Sequence, residues 1–211
     1  FEREAKLLAR LQHENVVTVY DAAYTPDGGY IAMDFVDGGD LSNEIERKGM
    51  LSEAEAAQIG LQIVRGLKAM HDVGVLHRDL KPENVLHNED TGAYQISDFG
   101  LSQDVGVPPE RSLDRFENPQ PALSRLTDAD TALGTPDYMS PEQIKGGVEL
   151  TSAVDLWALG GILYKMTTGR VPFTEENDAV TAIMYKALRN KPVSPIELRP
   201  ELSPEMNALI L

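Results

Sequence analysis

The sequence predicts an α+β protein with a small, strand-bearing N-terminal part and a larger, mostly helical body. Three observations carry that reading. Two short β-rich runs lie beside one apolar-striped segment within residues 1–36, a Gly-rich joint follows at Asp37-Gly38-Gly39, and apolar residues then recur mainly at helical spacing. A chain of 211 residues with 42% hydrophobic content can bury one sizeable core.

Each element has its own signal. Residues 1–12 read as a helix with Phe1, Ala5, Leu8 and Leu11 on one face. Residues 16–20 and 30–36 read as strands, with Pro26, Asp27, Gly28 and Gly29 turning between them. The joint leaves the chain flexible, and a short helix follows at 40–48. Ser52 and Glu55 form a capping box that opens a helix to about His71, striped by Ile59, Ile63, Leu67 and Met70. Gly74 lies just past its end. Residues 75–98 alternate short β segments with turns, of which 88–92 is the clearest. Residues 102–130 carry Pro108, Pro109, Pro119 and Pro121 among many charges, which predicts a long mobile loop. Helices return at 152–168, at 177–190 and from 203, where Ser203 caps and Pro204 takes the first helical position.

Composition narrows the function. A net charge of −15 argues against nonspecific nucleic-acid binding and against docking on anionic lipid. No run approaches the roughly 20 apolar residues of a membrane span. With no cysteine, there is no disulfide framework and no thiolate metal site, as suits the reducing cytoplasm. The chain starts without Met and closes on Leu209-Ile210-Leu211 with no stop signal, so it reads as an internal piece of a longer protein.

The chemistry is concentrated in two strings, His77-Arg78-Asp79-Leu80-Lys81-Pro82-Glu83-Asn84 and Asp98-Phe99-Gly100. Asp79 offers a carboxylate that can take a hydroxyl proton. Lys81, two residues on, can neutralise a transferring phosphoryl group. Asn84 and Asp98 are hard oxygen donors suited to Mg²⁺. Phosphoryl transfer asks for this kind of positioning and charge neutralisation. The strings resemble the catalytic loop and metal-binding turn of the eukaryotic-type protein kinases, and Lys81-Pro82-Glu83 is similar to the Ser/Thr-specific version. A third string, Gly134-Thr135-Pro136-Asp137-Tyr138-Met139-Ser140-Pro141-Glu142, resembles the peptide-binding segment of that family. Its Ser140 stands where the family has Ala, a change read as harmless. The run from Gly134 through Gln143 is similar to bacterial eukaryotic-like kinases.

The resemblance implies a bilobal fold using ATP and Mg²⁺, with a protein carrying a Ser or Thr acceptor as substrate. It assigns 1–33 to the end of the small lobe, 34–39 to the hinge, 40–211 to the large lobe and 98–142 to the activation segment. Thr135 would bond the catalytic base and lysine. Glu4 would pair with an ATP-binding lysine. Met33 would guard the adenine pocket, the Asp34, Phe35 and Val36 backbone would meet the adenine edge, Leu86 would floor it and Asp40 would reach the ribose. Leu8, Val19, His77 and Phe99 would stack between the lobes, with His77 structural. Asp155, in Asp155-Leu156-Trp157-Ala158-Leu159-Gly160, would hold the catalytic-loop backbone, and Glu142 would pair with an Arg beyond Leu211. Arg78 would receive a phosphate on Thr131, with Thr127, Ser124 and Ser112 as further acceptors. Asp40 and Glu83 suit a substrate with basic flanks. The family's Gly-rich loop and strand lysine would lie upstream of Phe1, so residues 1–211 alone are expected to bind ATP poorly and turn over little.

Two other readings share these residues. A noncatalytic scaffold would have no need of Asp79, Lys81, Asn84 and Asp98 together. A small-molecule kinase of the antibiotic- or choline-phosphorylating type would lack the Gly134–Glu142 string.

Overall fold

A computed structural model of the chain describes residues 7–25, 28–99, 136–175 and 177–211. The expected helix over 1–12 is described only at its end, and the Pro-rich run of 102–130 lies outside the described residues. Fold class follows expectation, with a small strand-rich N-terminal part and a larger helical lobe.

Strands β1 (Val19–Thr25) and β2 (Gly28–Met33) form an antiparallel pair, with Val19 opposite Met33 and a register shift between Val19 and Asp21. This differs from the expected 16–20 and 30–36. Val16 and Val17 are used elsewhere: Val16 bridges to Ile96 and the Val17 N–H donates to the Ile96 carbonyl at 2.9 Å. The second strand ends at Met33, where the Asp34 N–H donates back to Thr18 (2.9 Å) and the chain leaves toward the joint.

Helices α1 (Leu41–Lys48) and α2 (Glu53–Asp72) match their signals closely. The Ser52–Glu55 capping box forms in both directions. Lys48 reaches Glu44 at 2.8 Å and Glu55 at 2.9 Å. That lysine and Ser52 hold the Glu55 carboxyl down at about 2. Strands β3 (Val85–His87) and β4 (Tyr94–Ile96) make a short hairpin. Beyond it come α3 (Pro141–Lys145), α4 (Ala153–Thr168), α5 (Val180–Arg189), α6 (Pro195–Leu198) and α7 (Pro204–Ile210).

The main core lies between α2 and α4 and extends without a break to Leu8, Val16, Val17 and Val19. Helix α4 is apolar nearly all round, as a buried central helix must be. Gly66 lets the N-terminal segment sit close on α2, since a Cβ there would stand 2.5 Å from the Asn15 carbonyl. Arg199 ties the far end together: its Nη1 donates to the carbonyls of Leu51 (2.6 Å) and Thr167 (3.1 Å). A second, smaller cluster of Ile144, Phe173, Met184 and Ala187 packs α3 and α5 side by side. Among the described residues, no helix is long and apolar enough to cross a membrane.

Candidate active site

The catalytic-loop string is built outward from one buried carboxylate. Asp155, near the start of α4, is 1% exposed. Its Oδ1 accepts from the Arg78 N–H (2.8 Å), while Oδ2 accepts from the His77 N–H (3.0 Å) and lies 2.7 Å from His71 Nε2. Burial alone would raise its pKa. The His71 hydrogen bond and the two backbone N–H groups outweigh burial and hold the carboxyl below the ordinary aspartate value. The capped α2 delivers His71 from its last turn, so the end of α2 and the loop after it meet at a carboxylate 77 to 84 residues away.

His77 is fully buried and its ring orientation is fixed from both sides. Nδ1 accepts from the Asp79 N–H at 3.3 Å, so the proton sits on Nε2, which donates to the Ser97 carbonyl at 2.9 Å. Its ring lies 6.0 Å from that of Phe99, itself 3% exposed. This is a structural histidine, and Leu8, Val19 and Phe99 share its buried surroundings. Arg78 (φ 64°) and Asp98 (φ 53°) both adopt the left-handed region that L-residues rarely occupy. Such backbone needs outside support, and it falls on the two strings that carry the chemistry.

The Asp79 carboxylate is partly exposed and 3.3 Å from Lys81 Nζ. The short 3-10 turn Pro82–Asn84 returns Asn84 beneath the loop, where its Nδ2 donates to the Asp79 carbonyl (2.9 Å). That bond fixes the amide and leaves Oδ1 as the oxygen turned to other use. Register Val85↔Ile96 brings Asn84 and Ser97 together at the end of the hairpin, and the Ser97 N–H donates to the Asn84 carbonyl (2.9 Å). Asp98 is the next residue, with its side chain exposed. Among the described residues no three His, Asp or Glu side chains converge on a metal site. Two hard oxygens at one open hairpin end instead fit Mg²⁺, which keeps waters and takes substrate phosphates as its remaining ligands.

The joint is not loose, contrary to the sequence reading. The Gly38 N–H donates to the His87 carbonyl (3.0 Å) and the His87 N–H donates to the Gly39 carbonyl (2.9 Å). A Cβ on Gly38 would stand 2.3 Å from that His87 oxygen, so glycine is there for close approach. Asp40 bridges to Leu86 and caps α1: its carboxylate accepts from the Asn43 N–H (2.8 Å) and from Asn43 Nδ2 (2.6 Å). The structure thus brings Asp40 and Leu86 together, a pairing no local pattern revealed. Tyr20 donates to the Asp34 carboxylate. Met33 is 41% exposed and Val36 is half-buried against the main core.

Ser140 corrects the expectation that it merely stands in for Ala. It is fully buried, and its Oγ accepts from the Gln143 N–H (3.3 Å) while Gln143 Oε1 accepts from the Ser140 N–H (3.0 Å). The pattern is the same Ser-x-x-Glu/Gln box that marked α2, so the signal was present in the sequence. Gln143 Nε2 then donates to the Arg78 carbonyl at 2.6 Å. Tyr138 packs against Gly161 of α4, and Thr174 donates to Asp137. Glu4, Thr131, Thr135, Gly100 and Gly134 lie outside the described residues.

Comparison with known proteins agrees with this geometry. The family model for the protein kinase domain matches residues 1–211. A serine/threonine-protein kinase of Myxococcus xanthus, pkn3, is 37% identical over 217 residues, covering 100% of this chain and 37% of that protein. Serine/threonine-protein kinase PknB of Mycolicibacterium smegmatis is 33% identical over 215 residues, covering 100% of this chain and 32% of its own length. Calcium/calmodulin-dependent protein kinase type 1 of Caenorhabditis elegans is 37% identical over 182 residues, or 84% of this chain and 46% of that protein. The chain therefore spans about a third of the bacterial relatives' length. A match across all 211 residues, joined to the Asp155-anchored loop and the hairpin beside it, places this chain in the protein kinase domain family.

Proposed function

We propose that the protein carrying this chain is a serine/threonine protein kinase that moves the γ-phosphoryl group of Mg-ATP to Ser or Thr hydroxyls of protein substrates. The observation that carries the reading is the placement of Asn84 and Asp98 at one hairpin end, with the Asp79–Lys81 pair beside Asn84. Asp79 takes the acceptor hydroxyl proton as that oxygen bonds to the γ-phosphorus and the bond to the ADP oxygen breaks. Lys81 neutralises charge on the phosphoryl oxygens, and Asn84 Oδ1 with the Asp98 carboxylate would hold Mg²⁺. When bound, the ion would supply positive charge that offsets the negative charge of the nucleotide phosphates.

On this reading residues 1–33 are the end of the small lobe, 34–39 the hinge and 40–211 the large lobe. Met33, Asp34, Val36, Asp40 and Leu86 face the nucleotide, with Glu4 paired to an ATP-binding lysine. Thr135 orients Asp79, and a phosphate on Thr131 acts through Arg78. The acceptor lies in a protein with basic flanks, which Glu83 and the −15 charge of the chain favour. On the same reading the catalytic domain works in the cytoplasm, where ATP is available to it. A scaffold without activity would have no use for the Asp79–Lys81 and Asn84–Asp98 arrangement.

The test is γ-phosphate transfer from Mg-ATP to a generic Ser/Thr protein substrate by the full-length protein, beside Asp79→Asn and Thr131→Ala. Transfer that disappears with Asp79→Asn and falls with Thr131→Ala is expected. A wild-type protein that transfers nothing would overturn the enzyme reading. Undiminished transfer by Thr131→Ala would overturn the regulatory part alone.

A further inference from the structure

We infer that Gln143 is a positioning residue for the catalytic base, acting through the Arg78 carbonyl; the inference rests on the kinase reading above. Its side-chain amide is used at both ends. Oε1 accepts from the Ser140 N–H (3.0 Å), and Nε2 donates to the Arg78 carbonyl (2.6 Å). The Ser140 Oγ bond to the Gln143 N–H (3.3 Å) closes the box and fixes where the amide points. Helix α3 is thereby bonded to the peptide group that joins Arg78 to Asp79.

That peptide group needs holding. Arg78 sits at φ 64°, a conformation an arginine side chain disfavours. Its N–H is held by Asp155 (2.8 Å), which fixes one side of the residue. Its carbonyl belongs to the next peptide plane, and the Gln143 amide holds that plane. The N–H of the same plane is that of Asp79, donating to His77 Nδ1 at only 3.3 Å. Without Gln143 the plane loses its shorter bond and rotates more easily about Arg78 ψ, carrying the Asp79 Cα and its carboxylate with it. Helix α3 follows two residues after the 3-10 turn Pro136–Tyr138, so Gln143 ties the segment that would receive the peptide to the loop carrying the group that would take its proton.

The residue types fit this role and no simpler one. A cap alone would be served equally by Glu at position 143, as Glu55 serves α2. Only an amide has both an acceptor for Ser140 and a donor for Arg78. A carboxylate would turn an oxygen toward the Arg78 oxygen.

The test compares Gln143→Glu and Gln143→Met with Arg199→Met, a change in a tie remote from the site, in the full-length protein. Steady-state transfer, thermal melting and amide hydrogen exchange of the catalytic loop are measured together. Both Gln143 variants are expected to lower kcat by about tenfold or more, on the scale of misplacing a reacting group, with KM for Mg-ATP within about twofold. Gln143→Glu, which keeps the cap, is expected to be the slower, and Asp79 N–H exchange is expected to speed up in both. Arg199→Met is expected to lower the melting temperature without a change in kcat. Gln143 variants that melt lower but keep the wild-type kcat would overturn the inference, as would unchanged exchange at Asp79. If wild type transfers no phosphate, the enzyme reading fails by itself, and the exchange measurement alone decides whether Gln143 holds the Arg78–Asp79 peptide.

Discussion

Replacing Asp155 by Asn changes two atoms' charge and almost no volume, so its cost isolates what the carboxylate does. Asp155 accepts from His71 Nε2, the His77 N–H and the Arg78 N–H on its two oxygens. An asparagine has one acceptor oxygen and turns an NH₂ group toward the rest. In either orientation at least one backbone N–H of the catalytic loop faces another donor, in a place 1% exposed. Leaving one buried donor unpaired costs about 1–3 kcal/mol, and hydrogen bonds to a charged acceptor are worth about 1.5–3 kcal/mol each. The expected loss is about 3–5 kcal/mol, the scale found when a buried ionic contact is broken from one side. Equilibrium urea unfolding at pH 7 measures it, and against a total of about 5–15 kcal/mol it is a large fraction. The pH dependence supplies a second check. The native carboxyl is held below its unfolded value, so its stabilisation is complete above about pH 4 and fades as pH falls through the native value. The Asp155 carboxyl therefore makes the gap between wild type and Asp155→Asn narrow in acid. A loss under about 1 kcal/mol, or a gap that stays the same into acid, would refute the reasoning.

Two further variants test the framework around the site. Gly38→Ala puts a Cβ against the His87 carbonyl, where 2.3 Å leaves no room and the opposing atom is backbone. Overpacking of this kind costs about 1–3 kcal/mol, a melting temperature lower by about 3–10 °C; a flexible joint would accept alanine without any change. Arg199→Met removes the hydrogen bonds to Leu51 (2.6 Å) and Thr167 (3.1 Å) and is expected to cost about 2–4 kcal/mol in urea unfolding. A cost under about 0.5 kcal/mol would show that water replaces the guanidinium at both carbonyls.

What the sequence disclosed was what is local in the chain. The Ser52–Glu55 box, the α2 stripe and Ser203-Pro204 are signals spanning three or four positions, and the helices begin where those signals lie. The strings of the candidate site could be singled out for the same reason, since Asp79, Lys81 and Asn84 fall within six positions. Contacts between distant segments were not legible. Val16 and Val17 have the composition of a strand paired with 30–36, yet Ile96 claims them. Asp37-Gly38-Gly39 reads as flexible until His87, nearly fifty residues on, fills the space a side chain would need. His71 carries no mark of its bond to Asp155, 84 residues away. Ser140 is the instructive case, because its cap was local and readable by the rule applied at Ser52. Treating the position as a small-for-small exchange with Ala hid the hydroxyl's function.

The pattern of support around Arg78 and Asp98 bears on how stability and activity are related here. Each holds a left-handed backbone that costs an L-residue about 1–2 kcal/mol. Much of the support comes from outside the two strings. Arg78 is held by Asp155 from α4 and by Gln143 from α3. Asp98 lies between Ser97, bonded to Asn84 and His77, and Phe99, buried beside the His77 ring. The geometry of Asp79, Asn84 and Asp98 is thus supplied by elements that also form the core. Changes at Asp155 are then expected to lower both stability and transfer, whereas changes at Arg199, which is bonded to Leu51, Thr167 and Glu201, are expected to lower stability alone. A chain in which the two kinds of variant behaved alike would have its catalytic loop held by something other than these bonds.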